Sequence, residues 1–279
     1  MGDARLRTGL IGDNISRTRL PAALDIMCRD AGIALTFEPI DTAGHAGFDL
    51  AACVAELRSA GWDGVAVTHP HKPAAAGLFD GPARRLGAAN LLVFGTAPAA
   101  HNTDYTGFVS AWRALRGPAA PGRVAMAGAG GVARAIATGL AGLGATEIAI
   151  WDTAPGRAAA LAAEIGPAAR AVPPAGAGAA IASADGLVNA THLGMAGYGG
   201  SAFELPLTAR PAWAFDAVYT PVETAFLQSA RAAGAEILTG FELFRHMAVN
   251  LFTALTGQLP APDILHRLDR LQPPREQAE

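Results

Sequence analysis

The chain contains one lysine. Lys72 closes the stretch GVAVTHPHK at 64–72, and the other 20 of its 21 basic residues are arginines. Arginine and lysine differ wherever a proton must move, because an ε-amine can be tuned into a useful range while a guanidinium stays charged. Lys72 is therefore a candidate proton-transfer group, with a surviving surface lysine as the plain alternative. A second constellation lies further on. Gly128-Ala129-Gly130-Gly131-Val132-Ala133 fits the pattern GxGxxG/A. Glycines at such a turn let backbone approach a pyrophosphate, and a following helix offers N–H groups and the positive end of its dipole. Asp152 stands 24 positions after Gly128, where an acidic side chain bonds ribose hydroxyls and repels a 2′-phosphate, favouring NAD. Thr153 and Arg157 keep NADP open, since an arginine there can pair with that phosphate. A strand–helix turn without a ligand is the bland reading of the glycines.

Both constellations need elements to carry them. Apolar runs predict strands at 6–12, 35–40 and 64–68, separated by helices at 20–31 and 50–60. Pro21 falls in a first helical turn, where its missing N–H is harmless. Strand–helix–strand spacing implies a mostly parallel sheet. A linking helix is predicted over 108–115, then a turn-rich boundary GPAAPG at 117–122. A strand at 124–127, the glycine turn, a helix at 132–143 and a strand at 147–151 make a complete βαβ unit around the glycines, the context that gives the motif weight. Ala-rich helical segments follow over 154–188, with strands at 186–189 and 212–218, a long helix over 241–256 and a shorter one over 263–271. The tail QPPREQAE is expected to fray. No internal repeat is found.

Composition narrows the function. Hydrophobic residues make up 51% of the 279, and the net charge is −3 with no basic cluster, which argues against a nucleic-acid partner. Cys28 and Cys53 lack metal-ligand spacing and read as buried thiols. His69 and His71 flank Pro70 with no third ligand at a recognised spacing, so no metal site is expected. No apolar run of about 18–20 residues is found and no secretory signal is read, so a cytoplasmic protein with no membrane association is expected.

Eight segments then stand in order: GLIGDNISRT at 9–18, VTHPHK at 67–72, GAAN at 87–90, HNTDYTGF at 101–108, GAGGVARA at 128–135, NATHLGM at 189–195, DAVYTPVET at 216–224 and GFELFRHM at 240–247. In these, from about residue 8 to 257, the chain resembles the shikimate/quinate dehydrogenases. The resemblance implies an α/β fold: an N-terminal α/β substrate-binding domain over 1–107, an NAD(P)-binding Rossmann domain with a doubly wound parallel sheet over 108–240, and C-terminal helices over 241–279 that pack back on the substrate domain. It implies hydride transfer between NAD(P) and the secondary alcohol of a shikimate- or quinate-like cyclic hydroxy acid. Lys72 and Asp104 fall on its catalytic pair, Asn90 and Thr68 on ring contacts, and Ser16 and Thr18 on the carboxylate contacts. Tyr219 and Met247 fall on substrate-side positions. Gly128, Ala129, Gly130, Gly131, Val132, Asp152, Thr153, Arg157, Asn189, Thr191, Met195 and Gly240 fall on the cofactor side. The Ser-Arg-Thr run with Asp152 is most similar to the NAD-using branch. Where the NADP branch carries Asn-Arg-Thr, this chain has Trp151-Asp152-Thr153.

The chemistry agrees with the transfer. A carboxylate beside a lysine positions the ammonium while a hydroxyl proton is taken and returned, and the two groups titrate as a pair. Asp104 alone would serve equally as a helix N-cap. Three departures stand out. Ala66 replaces the family's asparagine, Met247 replaces a glutamine that contacts substrate hydroxyls, and Leu24-Asp25 stand near where a histidine–asparagine pair is common. A thioether is a weak acceptor, which leaves room for a ring that lacks a hydroxyl at that point or carries a different group, and so leaves an aminoshikimate or aminoquinate dehydrogenase open. A dinucleotide-binding regulatory module without turnover is the reading from another class. His246 is expected to face elsewhere, Arg17 and Arg19 to be solvated loop charges, and the protein to be a monomer or homodimer.

Overall fold

The computed structural model describes residues 4–272; the rest of the tail expected to fray lies outside them. The chain divides into two compact units, one comprising residues up to Gly107 together with Arg245–Leu271, the other Phe108–Phe244.

The first unit runs β1 (Arg5–Gly12), α1 (Leu20–Asp30), β2 (Ala34–Asp41), α2 (Leu50–Ser59), β3 (Gly64–Val67), α3 (Lys72–Ala75), α4 (Pro82–Leu86), β4 (Leu91–Val93) and β5 (Ala99–His101). Its sheet has the order β2-β1-β3-β4-β5. β1 lies parallel to β2 along its whole length and parallel to β3 at Leu10–Ala66 and Ile11–Val67. β4 and β5 are antiparallel. The sequence reading foresaw the parallel part and missed this hairpin, whose three-residue strands are too short to display an alternation. Ile11, Val65, Val67 and Leu92 pack against Leu50, Val54 and Trp62. The central strands are buried on both faces and so read as continuous apolar runs. Cys28 is buried and Cys53 half-buried; burial, then the charge of Asp25, pushes the Cys28 thiol up to about 11.

Helix α5 (Thr103–Arg116) carries the chain from the first unit into the second. It starts five residues before the predicted 108. Its polar first turn hides it from apolar periodicity, and its true start signal is a cap. Then come β6 (Arg123–Ala127), α6 (Gly131–Gly142), β7 (Glu147–Trp151), α7 (Pro155–Ile165), β8 (Ala169–Ala171), α8 (Ala177–Ala182), β9 (Gly186–Asn189), β10 (Trp213–Asp216), α9 (Ala225–Ala232) and β11 (Glu236–Leu238). The sheet order is β11-β10-β9-β6-β7-β8, and every pairing is parallel. The chain moves outward from β6 through β7 to β8, then crosses to β9. The winding therefore reverses between β6 and β9, which is where α/β folds of this kind bind ligands. The doubly wound fold is as expected; β8, α9 and β11 were not foreseen.

The aromatic core ties the GPAAPG turn down. Trp112 and Trp213 meet edge to face at 4.8 Å, and Phe108 meets Phe215 at 5.2 Å. The two indole N–H groups leave this core to donate to turn carbonyls, Trp112 to Ala119 at 2.9 Å and Trp213 to Pro121 at 3.0 Å. Buried indoles need such partners. On the other face of the sheet Phe203 stacks on Phe226.

Helix α10 (Gly240–Thr256) starts in the second unit and ends in the first, so the division falls inside it at Phe244/Arg245 rather than at 240. No breaker marks it. α11 (Ile264–Leu268) and a 3-10 turn at Asp269–Leu271 replace the single helix predicted over 263–271. Arg245 donates to Leu265 O at 2.7 Å, and Arg267 pairs with Asp30 of α1.

Gly240 has a packing reason of its own. A Cβ there would lie 2.6 Å from the carbonyl oxygens of Ala217 and Val218, backbone atoms that cannot step aside. Gly240→Ala is expected to destabilise the protein by about 1–3 kcal/mol, the usual range for overpacking. Denaturant titration checks this, and an unchanged midpoint would contradict it.

Candidate active site

Lys72 and Asp104 are 32 residues apart in sequence and in contact in the fold. Lys72 Nζ donates to Asp104 Oδ2 at 2.6 Å, with the two side chains 17% and 12% exposed. The chain after β3 turns through Thr68–His71 and enters α3 at Lys72, whose carbonyl accepts from Ala89 N–H at 2.8 Å. Asp104 stands in the first turn of α5. The cap of that helix is Asn102: its Oδ1 accepts from Tyr105 N–H at 2.9 Å, and its Nδ2 donates to Ala88 O at 2.9 Å. Asp104 is thus not the N-cap, and its carboxylate is left to the lysine. Asn90 reaches across to the same helix start. Its Oδ1 accepts from Thr103 N–H at 2.6 Å, and its Nδ2 donates to Thr103 Oγ1 at 3.0 Å. Asn90, Asn102 and Thr103 are buried, so this small network is the rigid floor under the ion pair.

The proposed carboxylate contacts lie on the turn after β1. Ser16 is exposed and Thr18 half-buried, the latter accepting from Leu20 N–H at 3.3 Å. Asp41, at the end of β2, shapes that turn by accepting from Asn14 N–H at 3.0 Å and Ile15 N–H at 3.3 Å. Its carboxyl is held below the usual range, chiefly by the Ala43 N–H and then by those two groups. Asn14 carries the left-handed φ of 55° that lets the turn reverse. Thr68 N–H bonds Ile11 O at 2.8 Å, and its methyl would lie 2.3 Å from a Cβ on Gly12. Ser16, Thr18, Thr68, Asn90, Lys72 and Asp104 thus all lie at one end of one sheet. Met247 is also in this unit, on α10. A Cβ on Gly107 would lie 2.8 Å from its backbone nitrogen. Tyr219 belongs to the second unit, stacked on Phe244 at 5.9 Å. Arg17 is exposed and His246 buried.

The glycine turn leaves β6 at Ala127, in register with Asn189 of β9. Gly128 has φ +97°, and a Cβ on it would lie 2.7 Å from Ala190 O, so only glycine fits. Gly130 and Gly131 are different: a Cβ on either would meet nothing within 4 Å. Gly130 is the N-cap of α6, and no side chain caps that helix. The turn therefore offers uncapped N–H groups beside open space, which fits the diphosphate of a dinucleotide. Asp152, at the end of β7, accepts from Ala129 N–H at 2.8 Å and Ala154 N–H at 2.9 Å. It thereby pins the turn. Thr153 and Arg157 are exposed nearby in sequence, Val132 is half-buried in the first turn of α6, and Met195 is 36% exposed.

Asn189 does not present its amide outward. Its Oδ1 accepts from Thr191 N–H at 3.0 Å and Thr191 Oγ1 at 2.7 Å, while its Nδ2 donates to Leu193 O at 3.1 Å and Asp216 Oδ1 at 3.0 Å. It builds the loop that carries Thr191 and Met195. The structural role of Asp216 was not foreseen, although it heads the DAVYTPVET segment; a lone aspartate gives no sign of being buried. It is fully buried, accepting also from Val218 N–H at 2.9 Å and Thr224 Oγ1 at 2.6 Å.

Comparison with known proteins fixes the class. Residues 10–92 match the family model described as the shikimate dehydrogenase substrate binding domain. The chain is 37% identical over 264 residues to a quinate/shikimate dehydrogenase (NAD(+)) of Corynebacterium efficiens, covering 90% of this chain and 93% of the relative. It is 39% identical over 266 residues to a shikimate dehydrogenase (NADP(+)) of Acidiphilium cryptum, covering 94% of each. The solved quinate dehydrogenase from Corynebacterium glutamicum in complex with NAD superposes with a TM-score of 0.89 at 34% identity, covering 96% of this chain and 98% of that one. The fold and these relatives together define an NAD(P)-dependent dehydrogenase acting on CH–OH. Within that class the chain belongs to the shikimate/quinate dehydrogenase family, as its eight segments implied.

Burial pushes the Asp216 carboxyl up from 3.8 to about 6, against the pull of its hydrogen bonds from Thr224, Val218 and Asn189. A folded-state value above the unfolded one means that the ionised form is the destabilising one. The associated stability is fully present below pH 3.8 and is lost as pH rises through about 6. Relative to wild type, Asp216→Asn is expected to gain stability between roughly pH 4 and pH 7, by up to ~3 kcal/mol. Calorimetric scans across that window check this; parallel pH curves for the two proteins would contradict it.

Proposed function

We propose that this protein transfers a hydride between NAD and the secondary alcohol of a shikimate- or quinate-like cyclic hydroxy acid, with Lys72 and Asp104 as its proton-shuttling pair. The observation that carries the reading is the 2.6 Å contact between the chain's one lysine and a mostly buried carboxylate. When bound, the nicotinamide supplies the acceptor or donor of the hydride. Once its ammonium has released a proton to solvent, Lys72 Nζ takes the hydroxyl proton as the alcohol is oxidised, and Asp104 Oδ2 holds the ammonium so regenerated. An arginine could not discharge that proton at a useful pH. Ser16 and Thr18 bind the ring carboxylate, and Thr68 and Asn90 orient the ring. Residues up to 107 act as the substrate domain and the Rossmann unit as the dinucleotide domain.

In the dinucleotide domain, the Gly130 and Gly131 N–H groups take the diphosphate and Asp152 takes the ribose. The Asp152 carboxylate disfavours a 2′-phosphate, so NAD is preferred over NADP. Met247 keeps one variant of this reading open: with a thioether where a glutamine would bond a ring hydroxyl, an amino or deoxy ring acid fits as well. The intact ion pair speaks against a module without turnover.

Reduction of NAD and of NADP, followed at the nicotinamide absorbance with quinate and with shikimate, tests the proposal. Lys72→Arg is expected to lower kcat by about 10²–10⁴. Asp152→Ala is expected to lower kcat/KM for NAD about tenfold and to narrow the gap to NADP. An active Lys72→Arg enzyme would sink the assignment of the lysine. Folded wild type that binds the dinucleotide but turns over neither acid would move the substrate to the amino and deoxy analogues, and binding of every such acid without turnover would favour the regulatory reading.

A further inference from the structure

His71 immediately precedes the lysine, and its side chain has a task that neither the ion pair nor the ring contacts explain. Its Nε2 lies 2.8 Å from Thr42 Oγ1, and the Thr42 hydroxyl donates to Asp13 Oδ1 at 2.5 Å. Asp13 follows β1, Thr42 follows β2 and His71 lies in the turn after β3, three strands that are neighbours in one sheet. Thr42 is 5% exposed. The direction of the chain is fixed by counting protons. A threonine hydroxyl has one, and an ionised carboxylate can only accept, so that proton points at Asp13. Thr42 Oγ1 must then accept from the ring, which places a proton on His71 Nε2. The Phe48 ring, centred 5.0 Å away and tilted by 50°, covers the imidazole from the side. The ring is held at its tip and against a neighbour.

What that ring holds is the start of α3. His71 N–H bonds Thr68 O at 2.9 Å, and His71 O accepts from Ala75 N–H at 3.0 Å. α3 has four residues and no side-chain cap, too little helix to be rigid by itself. The direction in which Lys72 leaves the backbone is therefore set from outside the helix, by Ala89 N–H on the Lys72 carbonyl and by the His71 side chain one residue earlier. We propose that the chain Asp13–Thr42–His71 is a positioning device for Lys72: it fixes the backbone from which the lysine springs and thereby the seat of Nζ against Asp104. His71, Thr42 and Asp13 are positioning residues here, with no contact to the reacting atoms. The inference rests on the reading of Lys72 as the proton carrier. Displacements of about 1 Å at such a group can cost a hundredfold in rate.

The single lysine supplies a readout that needs no turnover. Protein labelled with nitrogen-15 lysine gives one Nζ resonance, that of Lys72. Thr42→Val removes the hydroxyl at nearly constant shape, and Thr42→Ser restores it. With the ring acid and NAD, well below the melting point of each variant, Thr42→Val is expected to lower kcat about tenfold with KM within about twofold of wild type, and to move the Nζ resonance. Thr42→Ser is expected to bring both back to within about twofold of wild type. Wild-type kcat and an unmoved resonance in Thr42→Val would overturn the proposal, as would a serine variant as impaired as the valine one, which would mean that packing alone is at work. Lys72→Arg, assayed alongside, separates the two ideas. If it keeps full turnover, the role of the lysine fails, while the resonance still decides whether Thr42 positions the amine.

Discussion

The Lys72–Asp104 ion pair sets the terms for the whole first unit. Both side chains have lost most of their water, and an ion pair in that condition offsets its desolvation only when geometry and neighbouring hydrogen bonds are held tightly. The unit meets the requirement with short elements locked at their starts. Asn102 caps α5, Asn90 grips Thr103, and Ala89 N–H holds the lysine carbonyl. The first turn of α5 adds the positive end of its dipole beside the Asp104 carboxylate. None of these hydrogen bonds is made to the two charged groups, yet each fixes the backbone from which one of them projects.

The second unit meets a different requirement, with neutral groups in place of a countercharge. Its glycine turn and the loop after β9 lie at the carboxyl ends of adjacent strands, where the winding of the sheet reverses. Loops at such a point must be shaped without closing the space a ligand needs. Asn189 spends all its hydrogen-bonding capacity inside the protein, and Asp216 draws together the end of β9, the segment after β10 and the start of α9. A buried carboxylate ringed by neutral donors holds three segments together but pays for it in ionised-state solvation.

Much of this was legible in the sequence. The glycine turn, the lysine and the order of the eight segments were visible because glycine conformations and proton chemistry restrict residue type at single positions. The β6–α6–β7 unit was visible because its apolar periods are long. The hairpin β4–β5 and strands β8 and β11, three residues each, carry no period to read. The start of α5 was hidden because its first turn is polar, and the unit boundary within α10 because the helix runs through it. The Asn90–Thr103, Asn189–Asp216, Asp13–Thr42 and Thr42–His71 contacts join residues between 13 and 29 positions apart. Such pairings are made by topology, and no local spacing rule announces them.

The contrast between this ion pair and the exposed arginine pairs supports the proposed reason for one lysine among arginines. Arg29–Asp25, Arg170–Glu147 and Arg231–Glu223 lie on the surface, with side chains between 40% and 77% exposed. In water such pairs contribute little, and the guanidinium serves simply as a permanent charge with many donors. A pair that must pass a proton, as proposed for Lys72–Asp104, is another matter. There an arginine would hold its carboxylate in one charge state at every accessible pH, and its planar fork would demand two acceptor positions. A lysine offers a compact donor that can be discharged, and against a carboxylate at 2.6 Å the gain or loss of one proton is felt by both partners at once. On the proposed reading, the residue type is dictated where the charge must be able to change, and free elsewhere.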